Sequence, residues 1–228
     1  MGTSQTAAFF GQENDPFSER ALAHLEQLFG VVQSFLGTNH VPPRDMPPGV
    51  LDVDWLFCFK TKTILRENTL NSVRMGSINF HTASPRYPGS GGVNWALYNG
   101  DTEAAITVHH ITTEVDAGPI IAVMPFPCGE ATSVEALLEL TYSQHLEAFF
   151  DVTAQIAANG LEWVTETQRR FSDFDWGKHT YSVRDLEALK EIQLDMTADE
   201  VERRVRATKF RQYGPFVRIG GHLFNLSD

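Results

Sequence analysis

Residues 7–10 read A-A-F-F, an unbroken apolar run closed by Gly11 and the polar stretch Gln12-Glu13-Asn14-Asp15. Such a run, bounded by breakers and too short for a helix, reads as a buried strand. Asp15-Pro16 then places a helix cap before a proline at the first helical position. Leu22, Leu25, Leu28 and Phe29 follow at helical spacing. Residues 31–36 (V-V-Q-S-F-L) read as a second strand, 42–48 as a Pro-rich loop and 53–59 (V-D-W-L-F-C-F) as a third strand. Strand, helix, strand, loop, strand is the order of a mostly parallel α/β sheet. Only Gly11 occupies the first turn. A G-x-G-x-x-G phosphate turn is missing there, which disfavours a dinucleotide site despite the Rossmann-like order.

Further along, 63–71 suggests a short helix, 77–80 a strand, and 95–99 a helix ending at Gly100. Residues 104–111 and 120–126 read as strands, the first rich in β-branched residues. The longest helical stretch is 133–156, with Thr132 or Ser133 as its cap. Composition changes after Asn159-Gly160. Residues 169–180 read as irregular, 182–191 and 197–207 as short helices, and 216–219 with 222–226 as a β-hairpin around Gly220-Gly221. The expected organisation is a core over 1–160 and an α+β extension over 161–228 ending in that hairpin.

The 228 residues carry a formal charge of −11, and 42% are hydrophobic. An acidic chain repels polyphosphate backbones, so nucleic acid is not an expected partner. The one basic cluster, Arg203, Arg204, Arg206, Lys209 and Arg211, suffices for one or two phosphates. Two cysteines, Cys58 and Cys128, rule out a disulfide framework and point to a reducing compartment. Neither has a metal-ligand spacing, so no metal is expected. No charged leader followed by an apolar run is apparent, and no run reaches a membrane span. The expectation is a cytoplasmic protein without a membrane partner.

Residues 78–121 hold the polar chemistry. His81 ends a strand, and an unperturbed imidazole titrates near pH 6.5, which suits it to proton transfer. Asn79 lies two residues earlier, so both side chains point to one face of the strand. Its amide donates hydrogen bonds and is uncharged at any pH. Asp116 sits in the turn-rich V-D-A-G-P, where a carboxylate can orient the imidazole or favour its protonated form.

The order Asn79-x-His81, the run G-x-x-N-W-A-L-x-N-G-D-T-E and the later V-D-A-G-P-I-I resemble the catalytic segment of formyltransferases that use 10-formyltetrahydrofolate. The resemblance implies a Rossmann-like α/β fold, with 10-formyltetrahydrofolate as co-substrate. It implies Asn79 and His81 stabilising an oxyanion, His81 accepting the amine's proton and Asp116 supporting His81. It also implies a pterin beside the strand preceding Asn79, with Phe57, Phe59 and Lys60 as lining residues and the loop carrying Asp116 over the other side.

The loop after His81 reads T-A-S-P-R-Y-P-G-S-G-G, one residue shorter than in methionyl-tRNA formyltransferases, with Ala83 for the usual Ser and Pro88 before Gly89. That form, and the stretch from Trp176 onward, resemble nucleotide-sugar N-formyltransferases. The implied acceptor is the amine of a nucleotide-linked amino sugar of the kind used in surface polysaccharides such as the O-antigen of lipopolysaccharide. Tyr87, Gly91, Trp95, Arg204 and Lys209 are the implied acceptor-side residues, and a homodimer through the C-terminal region is implied too. Hydroxyornithine or methionyl-tRNA as acceptor, and a folate-binding protein without turnover, are the alternatives.

Overall fold

The structure, a computed structural model, describes residues 2–38 and 51–226. The expected Pro-rich loop at 42–48 lies outside the described residues. In chain order the elements are β1 (Thr6–Gln12), α1 (Pro16–Leu28), β2 (Val31–Gly37), β3 (Trp55–Cys58), α2 (Glu67–Asn71), β4 (Gly76–His81), α3 (Gly92–Asn99), β5 (Glu103–His110), β6 (Ile120–Pro127), α4 (Val134–Arg170), α5 (Val183–Lys190), β7 (Glu191–Ile192), α6 (Ala198–Thr208), β8 (Phe216–Ile219) and β9 (His222–Asn225). The chain divides into two units. The first comprises Met1–His81, Ile106–Met124 and Gln144–Asp175, and the second Thr82–Ala105, Pro125–Ser143 and Trp176–Asp228.

The main sheet runs β2-β1-β3-β4-β5-β6. Strands β1 to β4 pair in parallel, and β5 runs antiparallel to β4. Strand β1 is buried at its five inner residues, which explains its uninterrupted apolar run. Alternate residues feed two cores. Phe9, Phe57, Phe59, Ile78 and Phe80 pack with Leu25 of α1 and Phe149 of α4. Ala8, Phe10, Leu56 and Cys58 pack on the other face with Leu65 and Leu70. Asp15 caps α1 as the sequence predicts, accepting from the Ser18 N–H at 2.8 Å.

Chain reversal between β2 and β3 across β1 creates a switch point, where ligands of open α/β sheets gather at the carboxyl ends of strands. Two non-glycine residues just past such ends, Asn14 and Lys60, have left-handed backbones with φ of 55° and 52°. Helix α4 outruns its expected end at 156 and reaches Arg170. Gly160 interrupts it with φ 62° and ψ −145°, a conformation that glycine alone adopts readily. The compositional change at Asn159-Gly160 therefore marks a break inside a longer helical stretch.

In the second unit, α3 begins three residues before its expected start because Gly91, at φ 81°, turns the chain into it. Gly100 closes it in the left-handed region, as predicted. Arg203 and Arg206 of α6 donate to the Tyr98 and Leu97 carbonyls, both at 3.0 Å, at the C-terminal end of α3, where cations are favoured. The hairpin β8–β9 forms as expected, and Gly220 and Gly221 both have positive φ in its turn. A two-residue strand, β7, joins β8 in parallel to make a three-stranded sheet.

Candidate active site

Asn79 and His81 occupy one face at the end of β4, two residues apart. The antiparallel register sets Asn79 opposite His109 and His81 opposite Thr107 on β5. After β5 the chain turns back so that the Pro119 carbonyl accepts from the His110 N–H at 3.0 Å. That return brings in Asp116, held at φ 46°. A left-handed backbone is uncommon outside glycine, and aspartate is among the residues that tolerate it best.

The Asp116 carboxylate touches three partners. Oδ2 lies 3.1 Å from His81 Nδ1, and Oδ1 lies 3.3 Å from His109 Nε2. Asn79 Nδ2 donates to Oδ1 at the long distance of 3.5 Å. Asn79 Nδ2 also lies 3.0 Å from His109 Nε2. His81, His109 and Asp116 are buried, whereas Asn79 is partly open to solvent.

Hydrogen-bond logic assigns the protons. A carboxylate only accepts, so His81 Nδ1 carries a hydrogen and a neutral ring has its lone pair on Nε2. That nitrogen can take a proton from an attacking amine, and Asp116 stabilises the cation that results. Asn79 contributes an N–H that can meet a carbonyl oxygen gaining negative charge.

His109 is the residue that sequence reasoning missed. The string V-H-H-I displays it, but its place beside Asn79 follows from strand register.

Other expected residues have different surroundings. Phe57 and Phe59 are wholly buried, and their rings serve the core. Phe59 stacks on His145 of α4 with centroids 4.1 Å apart. Burial pushes His145 down to about 3, so it stays neutral. Lys60 Nζ pairs with Asp15 at 2.6 Å and lies 4.9 Å from the centre of the Phe17 ring.

Tyr87, Gly91 and Trp95 are neighbours in the second unit. The Tyr87 hydroxyl donates to Asp101 at 2.7 Å and accepts from Asn99 at 3.0 Å, while burial and Asp101 push its pKa up. Trp95 Nε1 donates to the Ser90 carbonyl at 3.0 Å, and its ring lies 4.3 Å from that of Tyr181. Arg204 pairs with Glu200 at 2.6 Å, and its Nη1 reaches the carbonyls of Ala188, Leu189 and Glu191 at 2.9, 3.2 and 3.0 Å. Lys209 follows α6, its N–H donating to the Val205 carbonyl. Among the described residues no group of His, Cys, Asp and Glu has the arrangement of a metal site, and no helix is long and apolar enough to cross a membrane.

Comparison with known proteins agrees with this architecture. The family model described as formyl transferase matches residues 50–153. A methionyl-tRNA formyltransferase from Parabacteroides distasonis is 37% identical over 75 residues, which is 32% of this chain and 23% of that relative. The match therefore spans under a quarter of the relative's length. A 4-N formyltransferase from Francisella tularensis superposes with a TM-score of 0.75 at 18% identity, covering 99% of this chain and 98% of that one. An N-formyltransferase from Helicobacter canadensis, solved with folinic acid and dTDP-3-aminofucose, gives 0.67 at 18% identity over 97% and 85% of the two chains. At these identities the superpositions establish the fold.

Proposed function

We propose that this chain, whose residues 50–153 match the formyl transferase family model, moves a formyl group from 10-formyltetrahydrofolate to the amine of a nucleotide-linked amino sugar. The observation that carries the reading is the His81–Asp116 contact of 3.1 Å, with Asn79 on the same strand face. The folate, when bound, supplies the activated formyl carbon. Asn79 offers an uncharged donor to the carbonyl oxygen as charge builds on it. His81 takes the amine's proton at Nε2 and holds it for the departing folate nitrogen, and Asp116 stabilises the imidazolium meanwhile.

The folate is assigned to the strand end that carries Phe57, Phe59 and Lys60 and to the loop that carries Asp116. With both rings enclosed, Lys60 and the backbone are what that strand end offers. The acceptor is assigned to Tyr87, Gly91, Trp95, Arg204 and Lys209. The ligands named for the Helicobacter canadensis structure support the two ligand classes, a folate and a nucleotide-linked amino sugar. A homodimer through the C-terminal hairpin fits the exposure of Leu223, Phe224 and Leu226, each near half. The product suits the cytoplasmic preparation of sugars for surface polysaccharide.

The test incubates the pure protein with 10-formyltetrahydrofolate and a panel of dTDP-, GDP- and UDP-amino sugars, following product by mass. Gain of one formyl group, lost in His81→Ala, is the expected result. No product from any sugar while folate still binds would overturn the sugar reading. The methionyl-tRNA relative supports a second reading, with charged initiator tRNA as acceptor. The net charge of −11 weighs against it. Formylation of methionyl-tRNA with the sugar panel silent would establish that second reading.

A further inference from the structure

We infer that His109 is a positioning residue that keeps the nitrogen end of the Asn79 amide, rather than its oxygen, turned into the catalytic cluster. The inference rests on the formyl-transfer reading for its kinetic consequences, but the geometry behind it is independent of the substrate.

His109 Nδ1 lies 2.9 Å from the carbonyl oxygen of His110. A carbonyl has no hydrogen to give, so Nδ1 is the protonated nitrogen; a neutral ring then carries its lone pair at Nε2, with Asp116 Oδ1 at 3.3 Å as a second, more distant neighbour that only a doubly protonated ring could serve. The group 3.0 Å from that lone pair is Asn79 Nδ2. Only a donor fits there, so the Asn79 amide has its NH2 toward His109. One of its two hydrogens is thereby used. The second faces the cluster, where Asp116 Oδ1 at 3.5 Å is a weak competitor. That hydrogen is the one left to meet a carbonyl oxygen developing charge.

An amide turned about its last bond would place an oxygen where the hydrogen is needed. It would also set that oxygen against the His109 lone pair. His109 therefore selects between two rotamers of nearly equal shape and opposite chemistry. Its own freedom is small, because it is buried at 2% exposure and tied to main chain. His81, Asp116 and His110 are the titratable neighbours of this arrangement, and of these Asp116 Oδ1 is the other acceptor for the Asn79 amide, at 3.5 Å against 3.0 Å for His109 Nε2.

The experiment compares wild type, His109→Phe and His109→Gln, each also in an Asn79→Ala background, after confirming that each variant melts cooperatively. His109→Phe is expected to lower kcat about 10- to 100-fold with KM for both substrates near wild type, the scale of a misplaced catalytic group. His109→Gln, which keeps an acceptor, should recover much of that loss. In the Asn79→Ala background, His109→Phe should cost almost nothing further, because the group it positions is gone. Equal losses from His109→Phe in both backgrounds would overturn the inference, as would unchanged kcat. Nitrogen NMR of the His109 ring gives an activity-independent check. Protonation at Nδ1 alone is expected, and a hydrogen on Nε2, in a neutral or a doubly protonated ring, would overturn the inference. If wild type forms no formylated product from any acceptor, the proposed function fails, and the NMR result still decides the role of His109.

Discussion

Gly118 passes so close to the carbonyl of His110 that a β-carbon on it would sit 1.8 Å from that oxygen. No neighbouring flexible side chain can yield there, because the atom in the way is backbone. The same carbonyl accepts the Nδ1 hydrogen of His109. Gly118→Ala therefore has to displace either the returning loop or the strand that holds His109. Overpacking of this kind costs about 1–3 kcal/mol. Urea denaturation should show a loss of that size, with kcat reduced as well. A variant with wild-type stability and turnover would show that the loop has slack the structure does not display.

Asp116 meets His81, His109 and Asn79 with one carboxylate. Asp116→Asn keeps the shape and removes the charge that stabilises a protonated His81. The expected loss in kcat is about 10²-fold or more, in the range of removing a proton-transfer partner. KM should change little, because the carboxylate acts while charge develops. Steady-state kinetics on both substrates test this. A rise in KM with kcat preserved would assign Asp116 to binding alone.

His145 should lend the protein a specific acid sensitivity. Burial holds it neutral in the folded state and pushes it down to about 3, the Phe80 backbone pulling weakly the other way. Neither ring nitrogen makes a hydrogen bond of ordinary geometry. The unfolded chain takes up this proton below about pH 6.5 and the folded chain does not. Stability is then fully present above that pH and falls as pH drops from there toward about 3, with a limiting slope of roughly 1.4 kcal/mol per pH unit. His145→Phe keeps a ring to stack on Phe59 and removes the titration. Urea midpoints measured from neutral to acid pH should fall less steeply in the variant. Parallel curves would mean that His145 takes up its proton in the folded state too.

Arg204 spreads its guanidinium over one carboxylate and three main-chain carbonyls. A lysine there is a single point charge and cannot reach all four. Arg204→Lys should destabilise by about 1–3 kcal/mol, the cost of leaving partly buried acceptors unpaired. Thermal melts would show it. An unchanged melting temperature with a raised KM for the acceptor would place the side chain in substrate binding instead.

The placing of Asn79 and His81 on one face was legible locally, whereas the meeting of Asp116 with His81 was implied by the family resemblance. A period of two puts Asn79 and His81 on one face, and V-D-A-G-P announces a turn that needs a glycine. The parallel sheet was legible for the same reason, since buried strands and a capped helix declare themselves within ten or so residues. His109 was not, because its meeting with Asn79 depends on register between two strands 30 residues apart. The enclosure of Phe57 and Phe59 was equally hidden, since an aromatic on a strand looks the same whether it faces a pocket or a packed helix. Helix α4 outran its expected end because a glycine break reads in sequence as a terminus. The basic run on α6 read as a phosphate site, and the carbonyl contacts that Arg203, Arg204 and Arg206 also make depend on neighbours far along the chain.

Cys58 stands beside Asn79 in the β3–β4 ladder. It is almost wholly buried, and burial keeps its thiol protonated far above the ordinary range. Thiolate, the form that reacts, forms there once the cover on that face of the sheet lifts. A slow alkylating reagent thus finds a stopwatch already installed in the chain. The rate at which Cys58 is labelled counts how often the core over the strand beside Asn79 opens, without any engineered probe.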